Sequence, residues 1–202
     1  MEFSMRLCCF SLKGGVGRTT LALNLAGCYA RDPRLRVLVN DRDPQGGASA
    51  FAALSDETPF SVGRSRSPGF NIEIADTPPR LPDNEIIPEA DLYLVPTLLD
   101  GASFLIFLRT VEVLEKKGKR YLPIANRANE KRASHRRRLD HPKMDGAVLV
   151  RDRALIADCY EQGQTVFDAA DRWALKAQEE IHGLAVRVRK TLKRDGKGRA
   201  AA

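Results

Sequence analysis

The 202-residue sequence predicts an α/β protein with a mainly parallel, doubly wound sheet and helices on both faces. Three observations lead to this prediction. Short apolar runs of strand length alternate with stretches of helical periodicity along the chain. Acidic residues stand at the ends of two of these runs, where parallel sheets place their ligands. A glycine-rich turn connects the first run to the first helix.

The apolar patterns place the elements in order. We predict strands at 7–10, 35–39, 70–76, 90–97, 121–127 and 148–150, and a turn-rich connection at 61–69. The first predicted helix runs from the glycine-rich turn to Tyr29, the second covers 101–117, and the third begins at about 151. The last predicted helix begins at a cap formed by Thr165 with Asp168 and continues along an apolar stripe to Leu192. The stripe comprises Ala170, Trp173, Ala177, Ile181, Leu184, Val188 and Leu192. We expect one domain over 1–195 and a basic tail at 196–202.

The glycine-rich turn predicts a phosphate-binding site. Glycines let successive backbone N–H groups converge on an anion, and the following helix adds unpaired N–H donors and a partial positive charge. A hydroxyl directly after the loop, here Thr19, is placed to bind the Mg²⁺ of a nucleotide triphosphate. The alternative, a turn without a ligand, would explain the glycines but not the two cations and two threonines beside them. The residues concerned are Lys13, Gly14, Gly15, Val16, Gly17, Arg18, Thr19 and Thr20.

The same stretch resembles the deviant Walker A motif, KGGxGK[ST], of the ParA/MinD ATPases, and within that family the chain is most similar to short ParA-type plasmid partition proteins. The resemblance covers nearly all of residues 5–190 and implies a P-loop NTPase architecture that binds ATP and Mg²⁺. It further implies that Lys13 reaches the nucleotide of a facing subunit in an ATP-dependent homodimer. The sequence departs from the motif at Leu12, where an ordinary Walker A has its first glycine, and at Arg18, where the family has lysine. Because arginine is a planar fork rather than a compact ammonium, we expect phosphate binding to persist and hydrolysis to be weak.

Three acidic residues stand at strand ends. Asp41 and Asp43 lie in a string similar to the DxDPQ signature of the family, and Asp76 occupies the position of a Walker B carboxylate. The resemblance implies that Asp41 and Asp76 hold the water shell of Mg²⁺, with Thr19 as a direct ligand, and that Asp43 positions the attacking water. It also implies that Asn126 hydrogen-bonds adenine. The alternatives from the residues alone are helix caps for the acids and a turn residue for the asparagine.

Positive charge is concentrated in two blocks. Residues 116–143 carry eleven basic and two acidic side chains, and residues 181–202 carry seven and one, so that the rest of this +7 protein is acidic. Such blocks, with few interleaved aromatic residues, are typical of sequence-independent contact with DNA phosphates, although a solvated helix face is the alternative for either block. The candidate DNA-binding residues are Lys131, Arg132, Arg136, Arg137, Arg138, Arg187, Arg189, Lys190, Lys193 and Arg194.

These features together predict an ATPase that dimerises on ATP, binds DNA non-specifically and acts in plasmid or chromosome partition, with hydrolysis stimulated by a centromere-binding, ParB-type partner. The alternatives are a nucleotide-dependent switch with little hydrolysis and a MinD-like membrane-associated ATPase. We favour neither a nitrogenase-type electron carrier nor a tyrosine kinase, because the cysteines are not spaced as cluster ligands and no tyrosine follows Tyr160. With four cysteines lacking metal-ligand spacing and no apolar run near the roughly 20 residues of a membrane span, we expect a cytoplasmic, nucleoid-associated protein.

Overall fold

The computed structural model describes residues 4–55, 57–81, 86–170 and 172–196, with side chains at the C-terminal end as far as Lys193. Seven strands form one sheet in the order β3-β2-β4-β1-β5-β6-β7, and every neighbouring pair is parallel. Parallel strands bring all their carboxyl ends to one edge of the sheet, which is where the candidate site lies. The strands are β1 Met5–Cys9, β2 Val37–Asp41, β3 Ser61–Gly63, β4 Ile72–Asp76, β5 Leu92–Thr97, β6 Tyr121–Ala128 and β7 Val148–Arg151.

The described residues form six helices, of which four lie between strands and two follow β7. They are α1 Arg18–Ala30, α2 Gly47–Ala52, α3 Gly101–Lys116, α4 Ala133–Leu139, α5 Ala154–Glu161 and α6 Ala174–Gly196, with a 3-10 turn at Pro142–Met144. The side chains of α1, α2, α5 and α6 pack on one face of the sheet, here called the α1 face. Those of α3 and the segment from α4 to the 3-10 turn pack on the other, the α3 face. The doubly wound arrangement and its parallel sheet are confirmed.

Two local predictions are wrong. Residues 61–63, expected within an irregular connection, form β3 and pair with β2 at the edge of the sheet. The last helix begins at Ala174 and not at Thr165. Thr165 and Asp168 do pair, since the Thr165 backbone N–H and hydroxyl both donate to the Asp168 carboxylate at 2.8 and 2.7 Å, but they close an isolated turn. Trp173, placed in the buried stripe by its spacing, is therefore 61% exposed.

Ala170, also placed in the stripe, lies before α6 and is exposed, whereas the later part of the stripe and the cysteines follow the sequence. Ala177, Ile181, Leu184 and Val188 are buried against the α1 face. Cys8, Cys9 and Cys159 are buried and Cys28 is half-buried, and all four are free thiols. Within the part of the chain that the structure describes, no helix has the length and apolar character needed to cross a bilayer. The predicted tail lies outside the described residues from 197 onward.

Candidate nucleotide-binding site

The loop between β1 and α1 has the backbone of an anion site. Gly15 and Gly17 adopt left-handed φ angles of 73° and 90°, which residues with a side chain rarely adopt. Gly17 is the N-cap of α1, and among the described residues no side chain caps this helix end. The N–H groups of its first turn are thus left to bind an anion.

Arg18 folds back on the loop that carries it. Its Nη1 donates to the carbonyl oxygens of Ser11 and Lys13 at 3.0 and 2.7 Å, and its Nη2 lies 3.8 Å from the Asp43 carboxylate. The side chain is only 8% exposed, and among the described residues its Nε has no hydrogen-bond partner. Burial lowers the pKa of the guanidinium, while the nearby Asp76 and Asp43 oppose that shift. In this conformation the Arg18 guanidinium is held by carbonyl groups of its own loop.

Thr19, Asp41 and Asp76 meet at the mouth of the loop. Asp41 and Asp76 are the last residues of β2 and β4 and stand directly opposite each other in the sheet register. The Thr19 hydroxyl donates to Asp76 at 2.6 Å. Asp41 accepts from the backbone N–H of Ser49 at 2.8 Å and from the Ser49 hydroxyl, so α2 fixes its orientation. The fold therefore brings the three predicted metal residues together.

These residues fit a hydrated magnesium ion. One oxygen of Asp41 and one of Asp76, the Oδ1 of each, are buried without a hydrogen-bond partner among the described residues. Burial raises the pKa of Asp76 to about 6, against the opposing effects of the Thr19 hydroxyl and Arg18. In the same part of the chain, no three acidic, thiol or imidazole groups converge as a ligand cage. A single hydroxyl with two carboxylates suits Mg²⁺, which keeps several of its waters and binds the phosphates of its nucleotide.

Asp43 and Lys13 flank this cluster. Asp43 Oδ1 accepts the backbone N–H of Gln45 at 3.0 Å, while Oδ2 faces Arg18. Arg18 and Asp43, two of the four predicted catalytic residues (the others are Lys13 and Asp41), thus neighbour each other. Lys13 is half-exposed at the start of the glycine-rich stretch.

Asn126 buttresses the glycine-rich loop. Its Nδ2 donates to the Val16 carbonyl at 2.8 Å and would lie 2.3 Å from a Cβ built on Gly17. The next residue, Arg127, has a left-handed φ of 50°, and the register of β6 against β7 shifts at this point. A glycine is therefore required at position 17 both by its backbone angle and by the amide packed against it.

A cavity of about 370 Å³ adjoins the loop on the α1 face, and its wall was not predicted from the sequence. Gly17, Thr19 and Asn126 line it together with Arg151, the last residue of β7, and Arg153, the N-cap of α5. Glu180 of α6 holds this wall by accepting from Arg151 Nη1 at 3.1 Å and from Arg153 Nη2 at 2.6 Å. These bonds lower the pKa of Glu180 in spite of its burial. No sequence spacing links a glutamate on the last helix to two arginines almost thirty residues earlier.

A family profile described as the "CobQ/CobB/MinD/ParA nucleotide binding domain" (CbiA) matches residues 7–183. The chain belongs to this family. The match runs from β1 into α6 and includes the glycine-rich loop, the three aspartates and Glu180. The predicted recognition is confirmed at the level of a ParA/MinD-type nucleotide-binding domain.

Two relatives within this family share the name "maintenance of carboxysome distribution protein A". The protein from Gloeobacter kilaueensis is 33% identical over 113 residues, covering 49% of this chain and 51% of the relative. The protein from Halothiobacillus neapolitanus is 26% identical over 197 residues, covering 84% and 89%. The chain thus aligns with about half the length of the first relative and most of the second.

The fold is also that of solved family structures. A crystal structure described as a plasmid partition protein from Borrelia burgdorferi B31, bound to AMPPNP, matches with a TM-score of 0.72 at 15% identity. The match covers 91% of this chain and 99% of that one. This likeness establishes the family's P-loop NTPase-like fold for the chain.

The candidate DNA-binding residues fall on opposite faces of this CbiA-type fold. The first block, on and before α4, follows the carboxyl end of β6, and Leu139 and Met144 anchor it to the α3 face. The second block lies on α6, which packs on the α1 face. The two blocks therefore pack on different faces of the sheet, although Arg187 of the second block lies against Gly146, just after the end of the first.

Each block contains some cations that are exposed and some whose side chains contact other parts of the chain. Lys131, Arg132 and Arg137 are exposed, whereas Arg138 is half-buried and donates to the Leu99 carbonyl at 2.7 Å. Arg136 is exposed but donates to the carbonyls of Glu130 and Lys131. On α6, Arg187 packs against Gly146 with its Nε buried. Exposed cations there are Arg189, Lys190 and Lys193; the side chain of Arg194 lies outside the described residues.

Proposed function

We propose that this protein is an ATP-dependent switch that pairs with a second copy of itself, binds DNA non-specifically and positions a cargo in the cell. The observation that carries the proposal is the meeting of Thr19, Asp41 and Asp76 at the mouth of the glycine-rich loop, with two buried carboxylate oxygens left unpaired. Family membership supports ATP as the nucleotide, and the AMPPNP bound to the Borrelia protein is consistent with it.

The proposed roles follow the geometry. The backbone N–H groups of the loop and the first turn of α1 bind the phosphates, and Thr19 is the direct ligand for Mg²⁺, with Asp41 and Asp76 on its waters. When bound, Mg²⁺ neutralises phosphate charge and so favours phosphoryl transfer. The remaining proposed site residues are Gly14, Gly15, Val16, Thr20 and Asn126, which shape the loop and the adjoining base pocket.

Hydrolysis depends on three further side chains in this proposal. Asp43 orients the attacking water with the oxygen that now faces Arg18. Arg18 releases the loop carbonyls and turns toward the β/γ-phosphate oxygens. Lys13, half-exposed at the rim, reaches the nucleotide held by the partner copy, which makes hydrolysis depend on dimerisation.

A nucleotide switch with little hydrolysis is the second candidate. The contacts of Arg18 favour it, because a guanidinium held by two carbonyls at 3.0 and 2.7 Å loses those bonds on turning to a phosphate. A wild-type protein that binds ATP, dimerises and shows no turnover with DNA and partner present would establish this second function. A MinD-like association with membranes is tested separately by flotation with anionic vesicles.

DNA contact is assigned to the first basic block. Lys131, Arg132 and Arg137 are exposed on the same edge of the sheet as the nucleotide site, so two copies that pair across that site bring two such patches into one assembly. Neutralising phosphates releases counterions, so that binding must weaken with salt. ATP loading thus converts two weak patches into one stronger DNA-binding surface.

The cargo is a replicon or a protein body. The resemblance to partition proteins favours a plasmid with a centromere-bound, ParB-type partner that stimulates hydrolysis. The names of the two relatives favour a carboxysome-like compartment. Following a fluorescent plasmid and a fluorescent shell protein in cells that lack this protein distinguishes the two cargoes.

A DNA-retention assay tests the whole proposal. Purified protein is measured on non-specific duplex DNA with ATP, with ADP and without nucleotide, at two salt concentrations. We expect retention only with ATP and Mg²⁺, and weaker retention at the higher salt. Lys131→Ala/Arg132→Ala/Arg137→Ala should reduce the slope of log K against log salt by about 3, whereas Lys116→Ala, already paired with Glu112, should leave it unchanged. Equal retention in all three nucleotide states would contradict the switch.

A further inference from the structure

A second concave surface lies far from the nucleotide loop. It runs between α6 and the segment that joins α1 to β2, at the edge of the sheet where the strands begin. Two adjoining cavities of about 740 and 510 Å³ make up this groove, and both include Asp32, Arg34 and Arg189. We refer to it as the α6 groove.

Part of the α6 groove has an apolar floor. Leu175 is 60% exposed and Val186 36% exposed, whereas Cys28, Phe167 and Leu192 are half-buried beside them. The residues that α6 contributes recur every three or four positions, so one helix face lines the groove. They are Leu175, Gln178, Glu179, His182, Ala185, Val186, Arg189, Leu192 and Lys193.

The rim of the groove is mainly cationic. Arg31 lies over the ring of Phe167 at 5.7 Å, and Arg189 lies over the ring of Tyr29 at 5.3 Å. Each guanidinium is thus held against a ring before any partner binds, although both arginines are exposed. Lys193 adds a third cation. The acids that face the groove are Asp32, which is bonded to Arg34, and Glu179.

We propose that the α6 groove binds an acidic amphipathic helix of a partner protein. Apolar side chains spaced three and four residues apart on such a helix would cover Leu175 and Val186, and its carboxylates would meet Arg31 and Arg189. From Leu175 to Lys193 the groove follows α6 for about 27 Å, which matches a partner helix of about five turns. Ordered arginines beside an apolar floor have the composition of interface hot spots.

Charge and shape argue against the other occupants. DNA phosphates would satisfy the arginines but would leave the apolar floor uncovered. A bilayer would meet the exposed Leu175 and Val186 but would leave the half-buried Cys28, Phe167 and Leu192 uncovered. The groove therefore adds a surface beyond the proposed DNA-binding switch, and its occupation does not require nucleotide.

Cys28 provides a reporter for this groove. Its thiol is half-buried in the groove, while the other three cysteines are buried, so alkylation at mildly alkaline pH labels Cys28 first. Burial raises the pKa of this thiol, which slows the reaction to a convenient rate. The probes are two synthetic helical peptides of about 18 residues with the same leucine pattern, one with glutamate and one with lysine on the polar face.

We expect the glutamate peptide to bind nucleotide-free protein and to slow alkylation of Cys28, and the lysine peptide to do neither. Arg189→Glu should weaken binding at least about tenfold. Lys190→Glu is the matched control, since it makes the same charge change at the next residue, which is exposed but does not line the groove. Leu175→Ala, at an exposed position that folding does not depend on, should also weaken binding.

Four results would overturn the proposal. The first is that the two peptides bind equally, and the second is that the Arg189 and Lys190 variants have equal effects. The third is that the protein floats with vesicles and that this flotation depends on Leu175. The fourth is that the protein self-associates without peptide and that Arg189→Glu abolishes this association. Loss of ATP binding in the wild type would contradict the proposed function but would leave the peptide result standing. The two failures are therefore distinguishable.

Discussion

The Thr19 hydroxyl donates a hydrogen bond of 2.6 Å to the Asp76 carboxylate and so ties the start of α1 to the end of β4. This bond does not compensate for the burial of the carboxylate, whose pKa is raised from 3.8 to about 6. The stabilisation from protonating Asp76 is thus fully present below about pH 4 and is lost as the pH rises through about 6.

Asp76→Asn should stabilise the nucleotide-free protein at pH 7.5. The substitution removes a buried charge and keeps an oxygen for Thr19, and the pKa shift corresponds to about 3 kcal/mol as an upper estimate. Urea unfolding at pH 7.5 and near pH 4 measures the effect, which should vanish at the lower pH. Asp158→Asn, on an exposed position of α5, is the control. A lower stability of Asp76→Asn at pH 7.5 would refute this account.

The same variant should lose the stabilisation that Mg²⁺ and ATP confer on the wild type. An amide cannot replace the charge of a carboxylate on the waters of Mg²⁺. Thermal unfolding with and without Mg²⁺-ATP measures the difference in Tm. An unchanged rise in Tm would place the metal elsewhere.

Arg18→Lys should increase ATP turnover. Lysine is a compact, flexible ammonium that leaves the carbonyls of Ser11 and Lys13 more readily than a guanidinium bonded to both. Phosphate release with DNA present measures kcat, and Arg18→Gln, which removes the charge, should reduce ATP affinity about tenfold or more. Lower turnover in the lysine variant would show that the arginine is the better group in this loop.

Lys13→Ala should separate ATP binding from dimerisation. Lys13 is half-exposed at the rim of the loop, so we expect its loss to leave ATP binding in the monomer within about threefold of the wild type. ATP-dependent pairing should disappear in sedimentation experiments. Lys117→Ala, an exposed lysine at the end of α3, is the control. Pairing that survives in Lys13→Ala would exclude the cross-subunit role.

Gly17→Ala should abolish nucleotide binding and destabilise the protein by roughly 1–3 kcal/mol, because a Cβ there lies 2.3 Å from Asn126 Nδ2 and the φ angle is 90°. Gly183→Ala is the matched control. It lies within α6 with nothing within 4 Å of its Cβ, so it should stabilise the protein by about 1 kcal/mol. Urea unfolding and ATP titration of both variants test the pair. Normal ATP binding by Gly17→Ala would contradict the assigned packing.

Local signals predicted the sheet and the loop. Apolar runs of strand length placed six of the seven strands, and glycines between a strand and a helix placed the turn at Lys13–Thr20. The strand-end positions of Asp41 and Asp76 followed from the same runs, and the parallel sheet brought them into register. These features depend on neighbours in the sequence or on the general geometry of parallel sheets.

Long-range packing decided the features that could not be predicted. Thr165 and Asp168 show the start signal of a helix, but the Thr165 side chain packs against Gly27 of α1, and α6 begins only at Ala174. The spacing of Arg138 and Arg187 suggested exposed cations, yet one bonds to Leu99 and the other packs on Gly146. Such contacts join residues about forty positions apart, so no short pattern encodes them.

Helix α6 contributes residues to both the cavity beside the loop and the α6 groove. Glu180 near its start holds the wall of the cavity beside the loop, and Arg189, about 13 Å further along, lines the α6 groove. If a helix docked in the groove shifts α6, thermodynamic linkage requires that nucleotide and docked helix change each other's affinity by the same factor. A cargo protein attached there would then sense, without touching the nucleotide, whether the triphosphate is present.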